Sequence, residues 1–192
     1  MQAMERRQDR SPDVERAARR LSRPVARLSL LAKRTLDIAL SSLMLIAVLP
    51  LFVVVLALLG FAGDGYLERR ARLGRQGKPV LLHRFRELPG GGFGRWLERL
   101  GARDLPLLWA VLRGKLSFVG PRPLAPGTAS GHTGPRRLMA PGLTGPAQRG
   151  CDEGSGAELD NAYVERWTLW MDALLMVGRC PKLHQRVSKS SS

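Results

Sequence analysis

Apolar residues are concentrated in one block of this chain. From Leu36 to Phe61 the sequence reads LDIALSSLMLIAVLPLFVVVLALLGF, with polar side chains only at Asp37, Ser41 and Ser42. A run of about 20 or more apolar residues has the length and composition of a membrane-inserted helix. A chain of 192 residues also offers little protein with which to surround such a helix. Pro50 interrupts the block: its ring clashes with the carbonyl around Ile46 and its missing N–H breaks or bends the helix. Each arm is then too short to cross a hydrocarbon core of about 30 Å. Lys33 and Arg34 precede the block, and Arg69, Arg70, Arg72, Arg75 and Lys78 follow it, so both ends favour the cytoplasmic side. Together these features predict a re-entrant helix hairpin over residues 35–62 in preference to a kinked span.

The pattern on either side is more varied. Residues 1–34 form a basic arm with a helix between Asp13 and Leu21 as one reading and a mobile or surface-bound segment as the other. In residues 66–86 Gly74 and Gly77 suit a hairpin-like reversal, and Pro79 to Leu82 suits a short strand. That places Arg72, Arg75, Lys78, Arg84 and Arg86 close to the membrane, as a solvated basic face or as a phosphate-binding one. LPGGGFG (88–94) lacks a following Gly-Lys-Ser/Thr and reads as a flexible connector, with a helical turn from Arg95 to Leu100. A helical run follows in LPLLWAVL, ending near Gly114, and then GPRP. There two prolines fix φ on either side of Arg122 and present its guanidinium from a stiff backbone, which suits a bidentate hold on phosphate. APGLTGPAQRG (140–150) has the composition of a rigid binding loop. From Ala157 to Val177 one helix is expected, with Tyr163, Trp167, Trp170, Met171 and Leu174 on a single face. The tail, 181–192, is expected to be disordered. The fold class is α/β (mostly α): the N-terminal membrane hairpin, then a small membrane-associated domain over 63–180.

Charge and cysteine content narrow the chemistry. A formal charge of +15 and a pI near 11.4 call for a polyanionic partner: nucleic acid, acidic lipid head groups or a phosphorylated small molecule. Nucleic acid is set aside, because it leaves the apolar block unexplained and no recognition motif is present. Cys151 and Cys180 lie in no CxxC and beside no histidine at ligand spacing, which predicts neither a disulfide nor a zinc site and a reducing, cytosolic setting. His83, His132 and His184 stand alone and read as ordinary surface or core residues.

Five segments, in order, are KRTLDIALSSLMLIAVLPLF, RLGRQGKPV followed by RFR, LPLLWAVLRGKLSFVGPRP, PGLTGPAQ and DNAYVERWTLWMD. They resemble the bacterial sugar transferases, the monotopic polyprenyl-phosphate phosphoglycosyl transferases that begin exopolysaccharide and O-antigen assembly. The resemblance covers roughly Lys33 to Arg179. It implies a re-entrant helix broken at a proline and a domain on the cytoplasmic face of the inner membrane. It also implies a reaction: an Asp of an Asp-Glu pair attacks the β-phosphorus of a UDP-sugar and releases UMP, and polyprenyl phosphate then takes up the sugar phosphate. Implied partners are membrane lipid, polyprenyl phosphate, a UDP-sugar and other polysaccharide-assembly proteins, with Mg2+ as cofactor. On matching positions Arg122 resembles a phosphate-binding arginine, and Arg84 and Arg86 resemble the basic pair near the site.

One position contradicts the family's chemistry. With Leu105-Pro106 fixing the register, Asp104 occupies the Glu position, where it can serve as a magnesium ligand one methylene shorter, and Arg103 occupies the nucleophile position. A guanidinium stays protonated and offers no lone pair for attack. Lys115 likewise stands where the family carries an acid, and the segment between RFR and the acidic pair is reduced to a short Gly-rich connector. Three readings stay open: Asp104 itself attacks, although a one-residue shift turns a side chain by about 100° on a helix; the protein transfers by another route; or it is a degenerate homologue acting as a membrane-bound adaptor or regulator.

Overall fold

The computed structural model describes residues 12–61, 67–88, 91–131, 133–151 and 155–181. Its apolar block is two helices. α2 (Pro24–Ala47) stops one residue beyond Ile46, whose carbonyl the Pro50 ring would strike, and α3 (Leu49–Phe61) begins after Val48. Pro50 lies in the first turn of α3, where a missing N–H leaves no intrahelical bond unmade. The axes bend by 56°. Among the described residues no single helix is long and apolar enough to cross a membrane, whereas the bent pair together meets that test by length and composition.

The polar residues of α2 have a structural cause. Lys33, Asp37 and Ser41 recur every four residues on one buried face, turned toward the rest of the protein. Lys33 Nζ donates to Asp172 Oδ2 at 2.6 Å and to the Val119 carbonyl at 2.8 Å. Asp37 accepts from Ser117 Oγ at 2.7 Å and from the Phe118 amide at 3.2 Å. Arg34 donates to the carbonyls of Val111 and Leu112 at 2.7 and 2.6 Å, satisfying the C-terminal end of α5 (Leu105–Leu112). Lys33 and Arg34 are therefore rivets between α2 and the domain as well as flanking charges. The opposite face of the helix pair is bare: Leu28, Leu31, Leu43, Ile46, Leu49 and Val53 are all exposed.

α1 (Pro12–Leu21) realises the helix read between Asp13 and Leu21, and α2 then runs without a break across position 34. An antiparallel hairpin follows, β1 (Leu67–Leu73) and β2 (Pro79–Phe85), reversing through Gly74 to Lys78 with Gln76 and Gly77 in the left-handed region. Beyond the hairpin come α4 (Gly91–Arg99), a 3₁₀ turn at Ala102–Asp104, and α5. Two short strands, β3 (Ser117–Val119) and β4 (Gly142–Thr144), pair in parallel. α6 (Pro146–Arg149), α7 (Gly156–Arg166) and α8 (Leu169–Met176) complete the chain. The core joins Phe85, Leu97, Val111, Leu116, Leu159 and Tyr163.

Three expectations are corrected. The predicted Gly-rich connector is helical from Gly91, because Gly94 and Leu97 find a buried face to pack on; positions 89 and 90 lie outside the described residues. The single helix over Ala157–Val177 is two, parted at Trp167 and Thr168, where the Thr168 hydroxyl accepts from the Met171 amide and caps α8. That break rotates Trp170 out to 71% exposure, off the face it was predicted to share with buried Tyr163 and Trp167. Finally, Cys151 and Cys180 form a disulfide, so cysteine content no longer argues for a reducing setting. They are 29 residues apart in sequence, but the α7–α8 return brings their Cα atoms to 5.1 Å, a proximity that local spacing does not encode. His132, His184 and all but the first residue of the 181–192 tail lie outside the described residues.

Candidate active site

The hairpin separates its side chains by parity. Glu68, Arg70 and Arg72 of β1 share one face with Leu82 and Arg84 of β2, since Glu68 pairs with Arg84 and Arg70 with Leu82. Leu67, Leu81, His83 and Phe85 lie on the other face, against Pro106 and Trp109 of α5. The charged face forms one wall of a cavity of about 570 Å³. Arg70, Arg72 and Arg84 enter from the hairpin, Asp104 from the start of α5, Arg122 from GPRP and Gln148 from α6.

The GPRP wall is held from behind. The Arg122 amide donates to Asp160 Oδ2 at 2.9 Å, and Arg136 bridges the Arg122 carbonyl and Asp160 Oδ2 at 2.9 and 2.8 Å. Burial pushes the Asp160 carboxyl up to about 6, against the opposing pull of Arg136 and of the Arg122 amide. Burial likewise lowers the Arg136 guanidinium from its usual value, with the Asp160 charge acting in the opposite sense. On the other side, Gly120 and Gly142 let two backbones approach: Gly120 N donates to the Thr144 carbonyl and Gly142 N to the Pro121 carbonyl, both at 2.9 Å. A Cβ at Gly142 would fall inside contact distance of the Gly120 backbone nitrogen. Thus GPRP and GLTGPAQ, separate in sequence, are one rigid unit.

Of the residues predicted from sequence, Asp104, Arg84 and Arg122 meet in the cavity. Asp104 Oδ1 forms an ion pair with Arg84 Nε. Arg86 does not line the cavity; it is exposed just beyond the end of β2. Arg103 does not line it either. Its guanidinium lies 3.8 Å from Glu68, 3.8 Å from Glu98 and 4.0 Å from Glu87, and its Nε donates to the Phe85 carbonyl at 3.3 Å. Glu68 in turn accepts from Arg70 Nε at 2.8 Å, and that hydrogen bond holds its carboxyl below the usual range. The acid next to the expected nucleophile position therefore faces the cavity, while the arginine at that position sits in a nest of glutamates.

Sequence reasoning gave Arg70 no place in the site and named Gln148 only within a loop. Arg70 and Arg72 carry a usable signal: they alternate with outward residues at strand period and join Arg84 on the cavity side. Asp160, which opens the DNAYVERWTLWMD segment, and Arg136 fix GPRP, but neither was given a role from sequence.

The cavity lining offers a divalent cation few ligands. Among the described residues Asp104 is the one acidic side chain lining the cavity, one of its oxygens already faces Arg84, and four guanidiniums surround it. Among those residues no group of three acidic, histidine or cysteine side chains could hold a metal ion. Mg2+ prefers carboxylate and water oxygens in near-octahedral array. An excess of three positive charges fits an anion, and does not fit Mg2+.

The bacterial sugar transferase family model matches residues 91–186, half of the chain, including Asp104, Arg122 and Gln148. The undecaprenyl-phosphate glucose phosphotransferase of Komagataeibacter xylinus is 30% identical over 187 residues, covering 78% of this chain and 35% of that protein. The UDP-glucose:undecaprenyl-phosphate glucose-1-phosphate transferase of Klebsiella pneumoniae is 27% identical over 182 residues, 78% of this chain and 39% of its own length. The chain thus spans little more than a third of these relatives. The uncharacterized sugar transferase EpsL of Bacillus subtilis is 30% identical over 174 residues, 77% of this chain and 84% of that protein. By its matched segment and by a relative covered over most of its length, the chain belongs to the bacterial sugar transferase family.

Proposed function

We propose that the protein transfers a sugar-1-phosphate from a UDP-sugar to polyprenyl phosphate at the cytoplasmic face of a bacterial inner membrane, in exopolysaccharide or lipopolysaccharide synthesis. The observation that carries this reading is the convergence of four arginines and one carboxylate on a single cavity. Supporting the membrane setting are the bare apolar face of α2 and α3 and the exposed rings of Phe93, Trp96 and Trp109, which suit a hydrocarbon–water boundary. The relatives from Komagataeibacter xylinus and Klebsiella pneumoniae are both named for undecaprenyl phosphate, and the second also for UDP-glucose.

In the proposed reaction an Asp104 carboxylate oxygen attacks the β-phosphorus of the UDP-sugar. The bond from that phosphorus to the bridging oxygen breaks, and UMP leaves with the electron pair. A phosphate oxygen of the polyprenyl phosphate then attacks the same phosphorus, and Asp104 departs as carboxylate. Arg84, beside Asp104, and Arg122, on its rigid loop, offset the charge spreading over the transferring phosphoryl oxygens. Holding donor and carboxylate in one site supplies the orientation term, because the arginines bind phosphate in fixed directions.

A second reading, a non-catalytic membrane adaptor or regulator, rests on Arg103 at the position where the resemblance expects the nucleophile. The test separates the two. Purified protein in a membrane mimetic, given a panel of UDP-sugars and polyprenyl phosphate with and without magnesium, is expected to release UMP. Asp104→Asn is expected to lower that rate by about 100-fold or more, since the amide cannot form the phosphosugar ester. No UMP across the panel supports the adaptor reading, and full activity in the variant removes Asp104 from the mechanism.

A further inference from the structure

The charge distribution of the cavity bears on how it holds a diphosphate, a question that rests on the sugar-transfer reading for its ligand but not for its outcome. Arg70 and Arg72 lie two apart on β1 and project to the same side, joined by Arg84 across the ladder and by Arg122 from the opposite wall. Asp104 returns one charge. Glu68, bonded to Arg70, returns a second from outside the lining and still leaves an excess of two positive charges. The diphosphate of a nucleotide sugar carries about two negative charges, so the protein's own side chains match it. A divalent cation entering with the diphosphate would add two more positive charges to a site already in excess, with a single carboxylate, engaged by Arg84, to ligate it.

We infer that this cavity binds its nucleoside diphosphate without a divalent metal, with Arg70 and Arg72 of β1 taking the charge-offsetting place of the cation. The Arg72 fork can engage non-bridging phosphate oxygens in two parallel hydrogen bonds, whereas the Arg70 fork is held by Glu68 at 2.8 and 3.2 Å and meets phosphate by exchanging those bonds or through its remaining N–H groups. Arg72 makes no side-chain hydrogen bond or ion pair among the described residues, and so has none to exchange for a phosphate. The strand geometry also provides an internal control. Arg69 carries the same charge on the same strand but projects to the opposite face, and it is exposed.

The experiment is titration of the full chain in detergent micelles with UDP as probe, by calorimetry, in excess EDTA and in excess magnesium. Affinity in EDTA is expected to equal or exceed that in magnesium, because the cation lowers the charge that the arginines recognise. UDP affinity at least tenfold weaker in EDTA would overturn the inference. Arg70→Gln and Arg72→Gln are each expected to weaken UDP by about tenfold, the scale of a lost charge-assisted pair. Arg69→Gln is expected to change it less than about twofold, as an exposed charge screened by salt. Equal losses in all three variants would show a general charge effect and overturn the assignment of Arg70 and Arg72. Far-ultraviolet circular dichroism of each variant separates misfolding from loss of contact, and Arg72→Lys, which keeps charge but not the fork, is expected to recover part of the affinity. UDP binding in EDTA with no UMP from any UDP-sugar defeats the sugar-transfer reading and leaves this inference standing. UMP release that stops in EDTA, together with loss of UDP binding, defeats this inference and leaves the transfer reading standing.

Discussion

Asp172 shows how a buried acid can be structural. It takes Lys33 Nζ at 2.6 Å, the Tyr163 hydroxyl at 2.6 Å and Trp167 Nε1 at 3.1 Å, with both partners of the ion pair close to fully buried. Burial, and then the negative charge of Asp172, raise the Tyr163 hydroxyl well above its usual pKa, so it stays protonated and donates. The pair ties α2 to α8. Asp172→Asn leaves the Lys33 charge buried with no counter-charge and is expected to cost about 3–5 kcal/mol, read as a shift of the unfolding midpoint in denaturant. Lys33→Met with Asp172→Leu is expected to recover much of that loss. A cost below about 1 kcal/mol for the single variant would mean that the pair behaves as a solvated one. None of this was visible in the sequence. Lys33 reads there as one more flanking charge and Asp172 as a helix acid, because the contact joins positions 139 apart.

At the scale of elements, legibility follows the range of the determining interaction. The α2–α3 break was readable from Pro50, and the β1–β2 reversal from Gly74 and Gly77, since both obey local backbone sterics. The helix at Gly91 and the division of α7 from α8 depend on tertiary burial and on the Thr168 cap, which propensity does not carry. Of the residues that line the candidate cavity, Arg122 was named from its rigid GPRP setting and Asp104 from the family resemblance. The site was opaque where a partner is distant, as with Arg136 and Asp160 behind GPRP. The Gly120–Gly142 approach gives a sharp test of that unit. Gly142→Ala places a methyl against the Gly120 backbone and must displace GPRP or β4. It is expected to destabilise by about 1–3 kcal/mol, as overpacking does, and to weaken UDP binding through Arg122. Unchanged stability and binding would show that Arg122 is not positioned by this contact.

For the whole molecule, the arrangement is a bent helix pair in which α2 is fastened by its buried polar face to a basic α/β domain and α3 is apolar throughout. The pair's outward residues include Ile46 at 72% and Leu43 at 64% exposure, which calls for an apolar environment. A re-entrant pair predicts that Ser22→Cys and Lys78→Cys, in a background with Cys151 and Cys180 changed to serine, both escape a reagent confined to the periplasm. Labelling of either position contradicts the re-entrant arrangement. The Cys151–Cys180 bridge joins the residue just beyond α6, which presents Gln148 to the cavity, to the segment following α8. It is the one feature of the molecule that cysteine spacing argued against.

The proposed transfer requires Asp104, the carboxylate facing the arginine cavity, to take the sugar phosphate. Incubation of the protein with a UDP-sugar that supports UMP release, omitting polyprenyl phosphate, followed by mass spectrometry of its peptides, reads this directly. A hexose-phosphate mass is expected on the peptide containing Asp104, lost when polyprenyl phosphate is supplied. A protein that turns over its donor yet carries no adduct, or carries it on another residue, would contradict it.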